Sequence, residues 1–165
     1  MGKHYILPIP DAMVGEILGL VEIVYSYRGK IKVSELSDEL QLELDDLGDA
    51  IDMAELLDLV KVKKGAIHLT VFGEAIAISK IDDKKRTLRK KIKETEPFRS
   101  IIEILEKEKE IPETELFERL KLKFTIENIE KFKKLMLSWG GYTEIFEYHG
   151  NKKLFTLPEK EFEPI

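Results

Sequence analysis

The residues equipped for chemistry are few and scattered along the chain. Its 165 residues include three histidines, His4, His68 and His149, and no cysteine. No histidine has a second ligand at helical or hairpin spacing, so a zinc site is not expected. Without cysteine there is no thiol nucleophile, thiolate metal site or disulfide framework. The carboxylate pairs Asp45/Asp46 and Asp82/Asp83 read as helix caps and solvated charge, not as a general acid beside a base. The chain holds neither a G-x-S-x-G nucleophile turn nor a G-x-x-x-x-G-K-[ST] phosphate loop. The expectation is a protein with no catalytic residues, no metal and no cofactor.

What stands out is the placement of charge. From Glu43 to Asp58 there are seven carboxylates and no Lys or Arg. On a helical wheel Asp45, Asp49, Asp52 and Glu55 fall on one side, opposite Leu47, Ala50, Ile51, Ala54 and Leu57. From Lys84 to Lys93 the balance reverses, with seven basic residues in ten positions, Arg86, Arg89 and Lys90 among them. Each stretch reads either as a solvated face or as half of a charged contact with a protein. A third candidate surface is aromatic. Trp139, Tyr142, Phe146 and Tyr148 either fill a core or, alternating on a strand, leave the rings of Tyr142 and Tyr148 open to a partner.

The elements that position these residues follow from periodicity and punctuation. Asp11 is a suitable cap for a helix over 12–27, whose Gly15 and Gly19 allow close approach of another backbone. A short strand at 31–33 precedes a helix over 35–41 capped by Ser34. The acidic helix follows, capped by Asp45 or Asp46, and strands at 59–63 and 66–70 turn at Lys64-Gly65. Thr70 caps a helix over 71–80 that buries Phe72, Ala75, Ile76 and Ile78. A basic helix spans 81–96, with Leu88 and Ile92 as its apolar contacts. The order then begins again, because Thr114-Glu115-Leu116 through Leu120 and Leu122 mirrors Ser34-Glu35-Leu36 through Leu40 and Leu42 at an offset of 80. Thr125 caps a second long helix, Gly140-Gly141 breaks it, and strands at 142–148 and 152–157 close the second half.

A short helix, a turn, a second helix and a hairpin make a winged-helix unit. The expected fold is therefore mainly α with small β-hairpins, an α+β class of two tandem winged helices. The expected domains are residues 1–80 and 97–165, with the linker helix 81–96 between them.

Two blocks carry a family resemblance. GEILGLVEIVYSYRGKIKVSELSDELQLELDDLGDAIDMAELLDLVKV with GAIHLTVFGEAIA, and then LSWGGYTEIFEY, resemble the AAA-associated domain over roughly residues 8–150. That domain is usually found C-terminal to the ATPase of nitrate/sulfonate/taurine-type ABC transporters. The resemblance implies a non-catalytic regulatory module partnered with a transporter ATPase. This chain carries no ATPase, so the module is expected either to act in trans or to be a fragment. Gly141 stands where the family's Trp-Gly-Arg-Tyr pattern has arginine.

Composition narrows the remaining classes. Net charge is −5 and charged residues make up 36% of the chain, with two Asn and one Gln, a balance expected of a heat-adapted protein. No apolar run approaches the ~18 residues of a membrane span, and the N-terminus lacks a signal-peptide core, so a cytoplasmic location is expected. A would-be reading helix covered in carboxylates repels phosphate and has no Arg, Asn or Gln for base edges, which disfavours nucleic acid. The preferred partner is a protein, either an ABC transporter ATPase or a second copy whose acidic helix meets the basic linker. The alternative is a DNA-binding transcription regulator that uses the wings and the linker helix.

Overall fold

The computed structural model describes residues 7–159 and has an α+β architecture. Its chain divides into two compact units, Ile9–Leu88 and the residues from Arg89 onward, the latter joined by Leu7 and Pro8. His4 lies outside the described residues.

The N-terminal unit runs α1 (Val14–Ser26), β1 (Lys30–Lys32), α2 (Val33–Leu40), α3 (Leu44–Leu56), β2 (Val60–Lys63), β3 (Ala66–Leu69) and α4 (Val71–Ile78). The helix α5 (Ile81–Lys93) carries the chain into the C-terminal unit. That unit continues α6 (Phe98–Glu108), β4 (Glu110–Pro112), α7 (Glu113–Lys121), α8 (Ile129–Thr143), β5 (Glu147–His149) and β6 (Leu154–Thr156). Each unit has one antiparallel sheet of three strands, ordered β1-β3-β2 in the first and β4-β6-β5 in the second. The offset of 80 holds from Ile31 to Ile111 on the first strand of each sheet, while their hairpin partners Ile67 and Phe155 lie 88 apart. Ile31 pairs with Ile67 at the centre of the first sheet, and Ile111 pairs with Phe155 at the centre of the second. All four side chains are buried. The strand-to-helix corner repeats as well: Val33 N–H donates to the Gly65 carbonyl at 3.0 Å, and Glu113 N–H to the Lys153 carbonyl at 2.9 Å.

Strands of three or four residues do not hold together alone. They persist because each helical set presses an apolar face on them, and each fully buried large side chain contributes about 1.5–3 kcal/mol. In the N-terminal unit that face is aliphatic, with Ile17, Leu20, Val21, Val24, Leu36, Leu47, Leu57 and Leu59 buried. In the C-terminal unit it is aromatic. The Phe155 ring lies 5.3 Å from Phe146, 6.0 Å from Phe117 and 4.9 Å from Tyr148, and Trp139, Phe98 and Phe132 are also buried.

Several boundaries differ from expectation for identifiable reasons. Helix α1 is capped at Met13, not Asp11, and Glu16 accepts the Met13 N–H at 3.2 Å. A Cβ on Gly15 or Gly19 would meet nothing within 4 Å among the described residues, so these glycines accommodate no neighbouring backbone there. Helix α2 starts at Val33 with Lys32 as its cap, because β1 ends one residue earlier than expected. Glu43 caps α3, leaving Asp45 and Asp46 in its first turn, where carboxylates favour the positive end of the helix. Thr70 does cap α4, its Oγ1 accepting Gly73 N–H at 2.9 Å.

Ala75 and Ile78 of α4 are exposed, not buried as expected. Asn128 caps α8, not Thr125, with Oδ1 accepting Lys131 N–H at 3.1 Å. The largest correction concerns Gly140-Gly141, which does not break α8. The helix runs on to Thr143 and carries Tyr142 with it, so Tyr142 lies on a helix and not on a strand. Gly140 is a glycine because the Phe146 ring lies where a Cβ would be, 2.0 Å from that position.

Candidate functional site

Three surfaces carry the residues singled out above. The first is the outer face of α3. Asp45 and Glu55 are exposed, and Asp49 and Asp52 are half-exposed along the same side. Glu55 also serves the fold: its Oε2 accepts Val62 N–H at 3.3 Å, covering a backbone donor on the edge strand β2. Leu44 and Leu56, at the two ends of α3, are exposed. The face therefore combines carboxylates with apolar side chains. The hairpin beside it presents Lys61, Lys63 and Lys64 to solvent.

The second surface is α5, and its cations are not equivalent. Arg86 is exposed and pairs with Asp83 at 3.4 Å on its own helix. Lys90 is exposed. Arg89 is only 12% exposed; its Nε donates to the Thr143 carbonyl at 2.6 Å and its Nη2 contacts Glu144 at 3.3 Å. Arg89 thus neutralises the C-terminal end of α8, satisfying a carbonyl that has no intrahelical donor. In sequence it was one of seven cations, and nothing local marked it as the one used for capping.

The third surface surrounds the second hairpin. A cleft of about 740 Å³ is lined by Gly141, Glu144, Phe146, Tyr148, His149 and Pro158 among others. The Tyr148 hydroxyl donates to Glu113, and the Lys133 ammonium reaches the same carboxylate at 3.2 Å while lying 4.8 Å from the Tyr148 ring centre. The Tyr148 hydroxyl, followed by Lys133, holds the Glu113 carboxyl below the usual range. Tyr148, followed by Glu113, holds the Lys133 ammonium above its usual value. Tyr148 is consequently committed at its polar end and at one face of its ring. Tyr142 is half-buried on α8. His149 Nε2 lies 2.9 Å from Thr156 Oγ1 across the hairpin.

One cluster that sequence reading missed has the residue types of a nucleophilic site. Ser100 Oγ lies 3.0 Å from Lys123 Nζ and 2.9 Å from Glu96 Oε1. Burial pushes the Glu96 carboxyl up, but hydrogen bonds from Lys123 and Ser100 outweigh it and hold the group below its usual range. Glu96 also accepts Ser100 N–H at 2.9 Å, the first-turn donor of α6. The serine is buried and its hydroxyl is spent on the carboxylate, so the network secures the start of α6. Lys123 is 23 residues away in sequence, and no periodicity connects it to Ser100. Among the described residues no group of three or more His, Cys, Asp or Glu is arranged to hold a metal ion. Among the described residues, too, no helix is long and apolar enough to cross a membrane.

No curated protein and no solved structure matches the chain. A family model does, over residues 34–149, which take in α2 through β5 and so parts of both units. That match covers well over half of the sequence, and the chain belongs to the C-terminal AAA-associated domain family.

Proposed function

We propose that this chain is a non-catalytic accessory module, two winged helices in tandem, that docks on an ABC transporter ATPase. Family membership supports the reading, since the family's description links it to AAA-type ATPases. Support for the winged-helix assignment is the element order helix, strand, helix, helix, strand, strand, repeated with the same sheet order in both units. The outer face of α3 supports a protein partner. Its carboxylates fit a basic surface and exclude a polyanion, while exposed Leu44 and Leu56 supply the apolar component that protein contacts use.

The test is calorimetric titration of the protein into a purified nitrate/sulfonate/taurine-type ABC ATPase from the same genome, with ATP hydrolysis followed in parallel. Binding is expected, weakened at least tenfold by Asp45→Lys/Glu55→Lys. Absence of both binding and any change in hydrolysis sinks the reading. A second reading, duplex DNA held by the wings, is favoured only by exposed Lys61, Lys63 and Lys64. Fluorescence anisotropy with random duplex at low salt decides it, and micromolar binding with a steep salt slope would establish it over the first.

A further inference from the structure

Helix α4 violates the rule that a surface helix shows water a polar face. Its sequence, VFGEAIAI, contains one charge, Glu74. Gly73 and Ile76 are buried, whereas Val71, Ala75 and Ile78 occupy successive turns of the opposite side. Val71 is 87% exposed and Ile78 is 62% exposed. Ile81, three residues after Ile78, is also exposed. The small Ala75 at the centre of the stripe lets a second helix axis come close.

The charges around the stripe are arranged to complement themselves. Glu74 lies on the exposed side, and Lys80 follows just past the C-terminal end. Neither has an ion-pair partner among the described residues. In an antiparallel two-fold pairing of α4 with its copy, Glu74 of one chain meets Lys80 of the other, and the contact occurs twice. An isologous interface demands this self-complementarity. We propose that the exposed stripe Val71–Ala75–Ile78 of α4 is a homodimer interface, closed by paired Glu74–Lys80 contacts between two copies of this chain. The proposal is independent of ATPase docking, which uses a different face.

The stripe is smaller than the roughly 800 Å² per partner of a standard interface, so the dimer is weak, with a dissociation constant on the order of 10 μM. Sedimentation velocity across low to high micromolar protein tests it. Wild-type protein is expected to shift from monomer to dimer, and Ile78→Glu to remain monomeric with an unchanged circular dichroism spectrum. Glu74→Lys and Lys80→Glu are each expected to weaken association at least tenfold. An equimolar mixture of those two variants is expected to restore it, since each then offers the charge the other lacks. Monomer at every wild-type concentration overturns the proposal, as does a dimer that survives Ile78→Glu. Failure of the mixed variants to associate overturns the antiparallel pairing.

Discussion

The two units follow one plan and differ in how it is filled and coated. Of the nine large apolar side chains exposed among the described residues, eight belong to Ile9–Leu88 and the ninth is Leu122. The C-terminal unit instead links its charges. Arg119 bridges Glu108 and Glu115, Lys123 holds Glu96, and Lys133 holds Glu113. Its core is aromatic where the other is aliphatic. A surface that satisfies itself has little to offer a partner, whereas apolar side chains left in water gain from being covered. The N-terminal unit thus leaves more apolar surface to be covered, and the C-terminal unit has more of its charge paired.

The sharpest way to probe that division is to damage each unit at its tightest point. A Cβ on Gly73 would lie 2.1 Å from the Leu59 carbonyl oxygen, a backbone atom that also accepts Thr70 N–H. A Cβ on Gly140 would lie 2.0 Å from the Phe146 ring, which is buried against Phe155. Neither neighbour can move without disturbing a sheet, so Gly73→Ala and Gly140→Ala should each cost about 3 kcal/mol. Scanning calorimetry should show Gly73→Ala lowering one transition and Gly140→Ala lowering another. If both variants lower a single shared transition, the units fold as one and the division is only geometric.

A smaller effect separates the units by pH. Glu113 and Glu96 have carboxyls held below their usual range in the folded C-terminal unit. A depressed folded pKa adds stability above the unfolded value, about 4.3, and that stability is lost as pH falls through the folded value. Glu113→Gln should cost about 1 kcal/mol at neutral pH. It should also flatten the acid limb of the melting curve, because the group that titrates is gone. An acid limb unchanged by Glu113→Gln and Glu96→Gln together would place the acid sensitivity elsewhere.

Caps offer a paired test of similar size. Thr70→Ala removes the hydroxyl that accepts Gly73 N–H in the first unit, and Asn128→Ala removes the amide oxygen that accepts Lys131 N–H in the second. Each should lower stability by about 1 kcal/mol, read from urea midpoints. Thr70 should cost the more of the two, because its hydroxyl also donates to the Leu59 carbonyl at 3.0 Å.

Much of the fold was legible because repeated elements left repeated signals. The offset of 80 matched α2 with α7 before any coordinates, since Leu36 and Leu116 face their cores for the same reason, whereas the three-residue strand β4 was not expected. The helix ends were less legible. Glu16 accepts the Met13 N–H at the start of α1 where Asp11 looked equally able, and α3 begins after Glu43 with no side-chain cap bond although Asp45 and Asp46 follow at once. Gly140 misled for a deeper reason. A glycine selected by the Phe146 ring, three residues past the end of its helix, looks, in sequence, the same as one that ends the helix. The candidate surfaces were legible as charge, and α3 does show its carboxylates to solvent. The apolar stripe on α4 was hidden because Ala75 and Ile78 fit a core pattern as well as an interface, and periodicity cannot say what lies outside the chain.

The repeat also explains one substitution between its halves. Helix α1 ends at Ser26 and the turn after it passes through Arg28-Gly29, with Gly29 at φ +88°, and the offset of 80 places Lys109 at the equivalent position before β4. Lys109 has φ +67° and ψ −43°, a conformation that side chains with a Cβ rarely adopt. Glycine enters the positive-φ region without that penalty, so Lys109→Gly should raise the stability of the C-terminal unit by about 1 kcal/mol. The reverse change at Gly29 tests the same account. A Cβ there would sit 3.9 Å from that of Leu69, an ordinary contact, so Gly29→Lys should lose about the same amount through backbone strain alone. Chemical denaturation of both variants checks the pair. If Lys109→Gly gains nothing while Gly29→Lys is costly, the two turns differ in more than the residue that occupies them, and the repeat is looser than its register implies.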